Sequence, residues 1–235
     1  MKDQQEIFGE CLFEKTGFRK IDFEFQNNYV ENGSEMKKQV DSEKECYEHA
    51  SDLKQLNELM LKCHKCPLEK TRNNLVFGTG DPNAKVMVVG EAPGAEEDLQ
   101  GKPFVGRAGK LLTDILKAIN FSREEVYITN TVKCRPPGNR NPSPEEMAIC
   151  YPYLERQIEL IQPKLILCLG LIAASGVLKL KLPLGKMRGN VYEYGNAKVM
   201  VTYHPAALLR NPQWKRGTWE DVQKFRKLYD ELVIK

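Results

Sequence analysis

A chain of 235 residues, 41% apolar and 29% charged, holds enough material for one buried α/β core and an appendage without disulfide staples. Its formal net charge of +3 permits a nucleic-acid partner without requiring one, because the placement of charge decides. No apolar run approaches the ~18–20 residues of a membrane span, and the polar start MKDQQEIFGE excludes a secretory signal. A cytoplasmic protein is expected, whose seven cysteines serve metal or chemistry rather than a disulfide framework.

In chain order, residues 1–40 show no clear period. FRKIDFEFQ (Phe18–Gln26) alternates like a short strand. Asp41–Ser42 can cap a helix running to about Lys62, with Ala50, Leu53, Leu56, Leu59 and Met60 as its apolar stripe. Four buried strands follow at KVMVVG (85–90), VYITNTV (126–132), KLILCLG (164–170) and KVMVTYH (198–204). Helical patterns separate them: Gly106–Asn120, a run opened by Ser143 as N-cap with Pro144 at the first helical position, and LIAASGVLKL. Pro152 is expected to kink or break the second of these. A last amphipathic helix, Thr218–Val233, would turn Trp219, Val222, Phe225, Leu228 and Leu232 to the core. The alternation points to an α/β fold with a parallel sheet covered on both faces, where ligands sit beyond the carboxyl ends of the strands. Those ends carry Gly90-Glu91, Asn130, Gly170 and His204.

CHKC sets Cys63 and Cys66 at CxxC spacing; Cys134 follows the second strand and Cys150 comes after fifteen intervening residues. Four thiolates suit an all-cysteine zinc site or a [4Fe–4S] cluster, against the plainer reading of a redox pair with two core cysteines. The loose second pair leans toward a cluster. Cys11, Cys46 and Cys168 match no ligand pattern, and Cys168 reads as a small core residue. On the polar edge, GEAPGAEEDLQGKPF (Gly90–Phe104) carries a knot of acids, and RPPGNRNPSP (Arg135–Pro144) is a stiff basic loop able to meet phosphate.

CHKCPLEKTR, VVGEAPGAEEDLQGKPFVGRAGKLL, YITNTVKCRPPGNRNPSPEE and VTYHPAALLR together resemble the iron–sulfur (family 4) uracil-DNA glycosylases over about residues 50 to 230. The resemblance divides the chain into an extension, residues 1–45, and a glycosylase domain, 46–235. It implies a three-layer α/β/α fold on a four-stranded parallel sheet and excision of uracil from single- and double-stranded DNA. It also implies a [4Fe–4S] cluster on Cys63, Cys66, Cys134 and Cys150, most simply in a monomer.

The same resemblance places substrate contacts at Gly90, Ala92, Glu97, Phe104, Asn130 and His204. A flat base stacks on Phe104, while a side-chain amide at Asn130 tells uracil from cytosine at O4 and N3. Loss of the base leaves a cationic sugar and a uracil anion, so Glu91 is the candidate to face the cation or position water, and His204 to donate to O2. Glu97 is the candidate to exclude the thymine methyl. Glu96, Glu97 and Asp98 divide between a helix start and the pocket in a way left open by sequence. Arg135, Arg140 and Arg210 are candidates for DNA phosphates, and Leu208 or Leu209 for a wedge in the vacated stack. The cluster reads as a staple, since hydrolysis moves no electron. Two other classes remain: a non-catalytic iron–sulfur module docked through residues 1–45, and a nucleotide-binding α/β protein, disfavoured because GEAPG lacks the phosphate-loop glycines and lysine.

Overall fold

A computed structural model describes residue 47 and residues 49–234. The expected strand Phe18–Gln26, the Asp41–Ser42 cap, Cys11 and Cys46 lie outside the described residues. The chain divides into two units, Met1–His49 and Ala50–Lys235, and the second carries everything that follows.

The first helix of this unit, α1 (Leu53–Leu61), opens on Asp52, whose carboxylate accepts from the Gln55 N–H at 2.8 Å. Strands β1 (Thr79–Gly80), β2 (Val86–Gly90), β3 (Tyr127–Asn130), β4 (Leu165–Leu169), β5 (Val191–Tyr194) and β6 (Ala197–Thr202) form one sheet in the order β1-β3-β2-β4-β6-β5. The four anticipated strands are its parallel centre; the two edges pair antiparallel. Edge strand β5 alternates exposed and half-buried residues, so it lacks the apolar run that marks a central strand. Its signal is the two-residue turn Gly195-Asn196, which brings Tyr194 opposite Ala197.

Pleat alternation splits the core. Met87, Val89, Ile166, Cys168, Val199 and Val201 face α4 (Pro144–Ile161) and α5 (Gly170–Leu178). Val86, Val88, Leu165 and Leu167 face α3 (Arg107–Ala118) and α8 (Lys215–Tyr229), meeting Leu112, Leu116 and Phe225. Ser143 caps α4 in a reciprocal pair with Glu146, and the helix runs unbroken through Pro152. In the last helix Val222 and Phe225 are buried as expected. Trp219 and Leu232, each 43% exposed, are not core residues, because α8 turns its Trp219 face to solvent and the regular helix ends at Tyr229. The short helices α2 (Ala95–Gln100), α6 (Leu184–Met187) and α7 (Pro205–Arg210) complete the unit. Among the described residues no helix is long and apolar enough to cross a membrane.

Candidate active site

Parallel register sets the site. Gly90 at the end of β2 lies beside Asn130 at the end of β3, and the chain is tied there by Thr131 N–H to Gly90 O at 2.9 Å and Val132 N–H to Glu91 O at 3.1 Å. A Cβ at Gly90 would stand 2.4 Å from Asn130 Oδ1 and 2.6 Å from the tip of the Phe104 ring, so only glycine lets the amide and the ring close over this strand end. Asn130 is 2% exposed, and its Oδ1 has no hydrogen-bond partner among the described residues. A buried acceptor without a donor costs roughly 1–3 kcal/mol, so it marks a place where a ligand N–H belongs.

Phe104 is held in a strained conformation. Its φ of 54° is left-handed, a conformation that costs a bulky residue about 1–3 kcal/mol. Two devices hold it. Glu97, in the first turn of α2, accepts from Val105 N–H at 3.0 Å and Gly106 N–H at 3.1 Å with Oε1, and from Gly94 N–H at 3.1 Å with Oε2. Gly109 lets the Phe104 carbonyl lie against α3, where a Cβ would come within 1.8 Å of the oxygen.

His204 caps α7. Its Nδ1 accepts from Ala206 N–H at 3.2 Å, which leaves Nε2 as the protonated, donating nitrogen. Burial, reinforced by Arg210, pushes its pKa down to about 4 against a weaker opposite pull from Glu97, so the ring is neutral at physiological pH. Its centroid lies 5.6 Å from that of Phe104, with the rings tilted 34°. The half-buried Glu91 carboxylate makes no hydrogen bond among the described residues; burial pushes its pKa up and Arg210 opposes this. Ala92 lies half-buried in the loop that follows.

The acids of Gly90–Phe104 therefore divide. Asp98 is fully buried and accepts from Asn73 N–H at 2.9 Å and Asn74 N–H at 3.3 Å, pinning the segment ahead of β1. Glu97 binds the loop that carries Phe104, and Glu96 is exposed. Leu208 is a correction: at 1% exposure it packs beneath α7 and cannot reach DNA, while Leu209, 39% exposed, faces solvent. Arg140 engages Glu146 through both terminal nitrogens, at 2.6 and 2.8 Å, and so braces the 135–144 loop onto the α4 cap. Arg135 donates to Asn139 Oδ1 at 2.8 Å, while Arg210 is exposed.

Cys63, Cys66, Cys134 and Cys150 line one cavity, from three separate segments of the chain. No three His, Cys, Asp or Glu side chains among the described residues gather closely enough to hold a single ion. Four thiols lining one cavity offer the all-cysteine donor set that a [4Fe–4S] cluster takes. Burial pushes the Cys150 thiol up to about 12 and also raises Cys66 and Cys134, so these sites stay protonated until a metal supplies positive charge.

Two residues here lie outside the sequence reading. Arg72 donates to Cys134 Sγ at 3.1 Å and to Cys63 O at 3.2 Å, bridging two of the cysteine segments. Lys133 is fully buried, and its Nζ donates to Thr129 Oγ1, Gln157 Oε1 and Asn130 O at 2.6–2.7 Å. It runs from the cysteine cavity to the backbone of Asn130. A lysine after a strand carries no local sign of such burial.

The profile of the uracil DNA glycosylase superfamily matches residues 77–232. The type-4 uracil-DNA glycosylase of Archaeoglobus fulgidus is 48% identical over 177 residues, covering 72% of this chain and 89% of that protein. That of Pyrobaculum aerophilum is 47% identical over 182 residues, covering 74% and 93%. That of Saccharolobus solfataricus is 49% identical over 183 residues, covering 74% and 83%.

Proposed function

This chain belongs to the uracil DNA glycosylase superfamily, and we propose that it excises uracil from single- and double-stranded DNA by hydrolysing the N-glycosidic bond, leaving an abasic site. One observation carries the assignment of the base reader: the buried, unpartnered Asn130 Oδ1 beside the Phe104 ring. Uracil N3–H is the donor it lacks, and the amide N–H₂ then meets uracil O4. Cytosine offers no hydrogen at N3 and a donor in place of O4, so both pairings fail and buried polar groups stay unsatisfied.

The extruded base leaves the stack and lies on Phe104. As the glycosidic bond lengthens, negative charge gathers on uracil O2 and positive charge on the sugar. The neutral His204 donates Nε2–H to O2; its fixed tautomer means no reorganisation accompanies the charge. Glu91, poorly solvated and close enough to Arg210 to feel its charge, faces the cationic sugar or orients the attacking water. In this reading Arg210 and Arg135 meet phosphates, Arg140 is chiefly a loop brace, and the exposed Leu209 enters the vacated stack. Cys63, Cys66, Cys134 and Cys150 would hold a [4Fe–4S] cluster, which when bound supplies a cross-link among distant segments. Around it, Arg72 and Lys133 extend that cross-link to the Asn130 backbone.

The test uses a uracil-containing oligonucleotide, alkaline cleavage of abasic sites, and the Asn130→Ala and His204→Ala variants. Strand scission should be strong for the unaltered protein and fall by orders of magnitude in both variants, with DNA binding reduced less. Unaltered single-turnover rates in either variant would remove its assigned role, and no scission by the iron-loaded parent would favour a binding module.

A further inference from the structure

Behind the Phe104 loop lies a second cleft of about 380 Å³, separate from the base-reading atoms but sharing Phe104 as a wall. Lys102, Lys110 and Arg123 line it, with Thr79, Gln100 and Thr113 as neutral polar groups, and no carboxylate does. None of the three cations forms an ion pair among the described residues. Elsewhere in this unit Arg140, Arg156, Arg188 and Arg226 all have carboxylate partners.

Arg123 is the most telling. Its guanidinium is partly buried, and burial lowers its pKa, with only a weak opposite pull from Glu124. It donates to Pro103 O at 3.0 Å and to Thr113 Oγ1 at 3.3 Å, which leaves further N–H donors of its planar fork free. Three cations lining one cleft repel one another unless an anion joins them. Arg123 also braces the segment that carries Phe104.

We propose that this cleft is a phosphate-binding subsite that grips the sugar–phosphate backbone of the strand being repaired, next to the extruded nucleotide. This rests on the excision reading above, because that reading puts the base on Phe104. Phosphates recur along a strand every few ångströms, so a nucleotide on one face of Phe104 brings a neighbouring phosphodiester to the other. The occupant is a backbone phosphate rather than a base, since the cleft offers point charges and small donors and its aromatic wall is already committed to the base. The subsite would set register on the strand and carry no sequence information.

The experiment compares the unaltered protein with the Lys102→Gln/Lys110→Gln double variant, whose two side chains are exposed and outside the core. The ligand is a single-stranded oligonucleotide with one uracil whose 2′-fluorinated sugar resists excision, titrated over a range of NaCl. Each lost phosphate contact should reduce the slope of log K against log salt by ~0.7, so by up to ~1.4 for the double variant. Neutral methylphosphonates placed one at a time around the uracil should weaken the unaltered protein at one or two positions on one flank and leave the variant indifferent there. Equal salt slopes, or methylphosphonates that weaken both proteins alike, would overturn the proposal. Alkaline scission of the ordinary uracil strand by the unaltered protein tests the excision reading separately: its absence beside a retained slope difference removes that reading and leaves the cleft standing.

Discussion

Replacing Glu97 by alanine removes one carboxylate and three hydrogen bonds, to the N–H groups of Gly94, Val105 and Gly106. Hydrogen bonds to a charged group contribute roughly 1.5–3 kcal/mol each, but these are partly exposed and water recovers much of that. A net loss of about 2 kcal/mol for the Phe104 loop follows. The loop already carries the left-handed Phe104, so the released backbone relaxes away from the base-stacking position. At 1.4 kcal/mol per decade, the equilibrium constant for holding Phe104 in place falls about 30-fold, and kcat/KM for uracil falls by up to that factor. Single-turnover kinetics on uracil and thymine strands measure the effect, with hydrogen exchange at the Val105 and Gly106 amides as an independent readout. Faster exchange with lower uracil kcat/KM is expected. Parent kinetics together with slow exchange would refute the loop-holding role. A selective rise in thymine excision would instead return Glu97 to guarding the base edge.

Gly109→Ala should lower excision through the same loop at unchanged iron content, because its Cβ collides with rigid Phe104 backbone; a destabilisation of about 1–3 kcal/mol is expected by thermal unfolding. His204 sets a pH signature. Its folded pKa of about 4 lies below the unfolded value of about 6.5, so the unfolded chain binds the extra proton first and stability falls as pH drops from 6.5 toward 4. Urea unfolding across that window should show a shallower fall in His204→Ala. The acid limb of excision should follow the raised pKa of Glu91 and show no titration near 6.5 from the imidazole. Arg72→Met should lower iron per chain and the thiolate-to-iron absorbance, since the bridge from Cys134 to the Cys63 segment is lost.

Much of the architecture was legible in the sequence because central parallel strands are apolar on both faces. VMVVG and LILCL, fully buried, left no other reading. Ser143-Pro144 announced the start of α4 through local hydrogen bonding alone. The edge strands β1 and β5 escaped because one side of each faces water: β1 pairs through two residues only, and β5 alternates exposed and half-buried ones. Strand ends pointed to Gly90, Glu91, Asn130 and His204, since chain order and a parallel sheet place them on a single edge.

What tertiary structure alone decided is which polar groups lack partners. Leu208 and Leu209 are neighbours of the same type, and only the packing of α7 separates the buried one from the exposed one. Glu96, Glu97 and Asp98 are indistinguishable as a string of acids. They part because Asp98 turns inward to the Asn73–Asn74 backbone, Glu97 reaches the N–H groups flanking Phe104, and Glu96 stays in water. Lys133 and Arg72 follow the same rule. Composition and spacing set the identity of a group, but desolvation and hydrogen bonding depend on atoms brought from sixty or more residues away, as with Arg72 and Cys134. The acids beside the strand end thus became a scaffold that holds one strained phenylalanine, with Glu91 left without a hydrogen bond among the described residues.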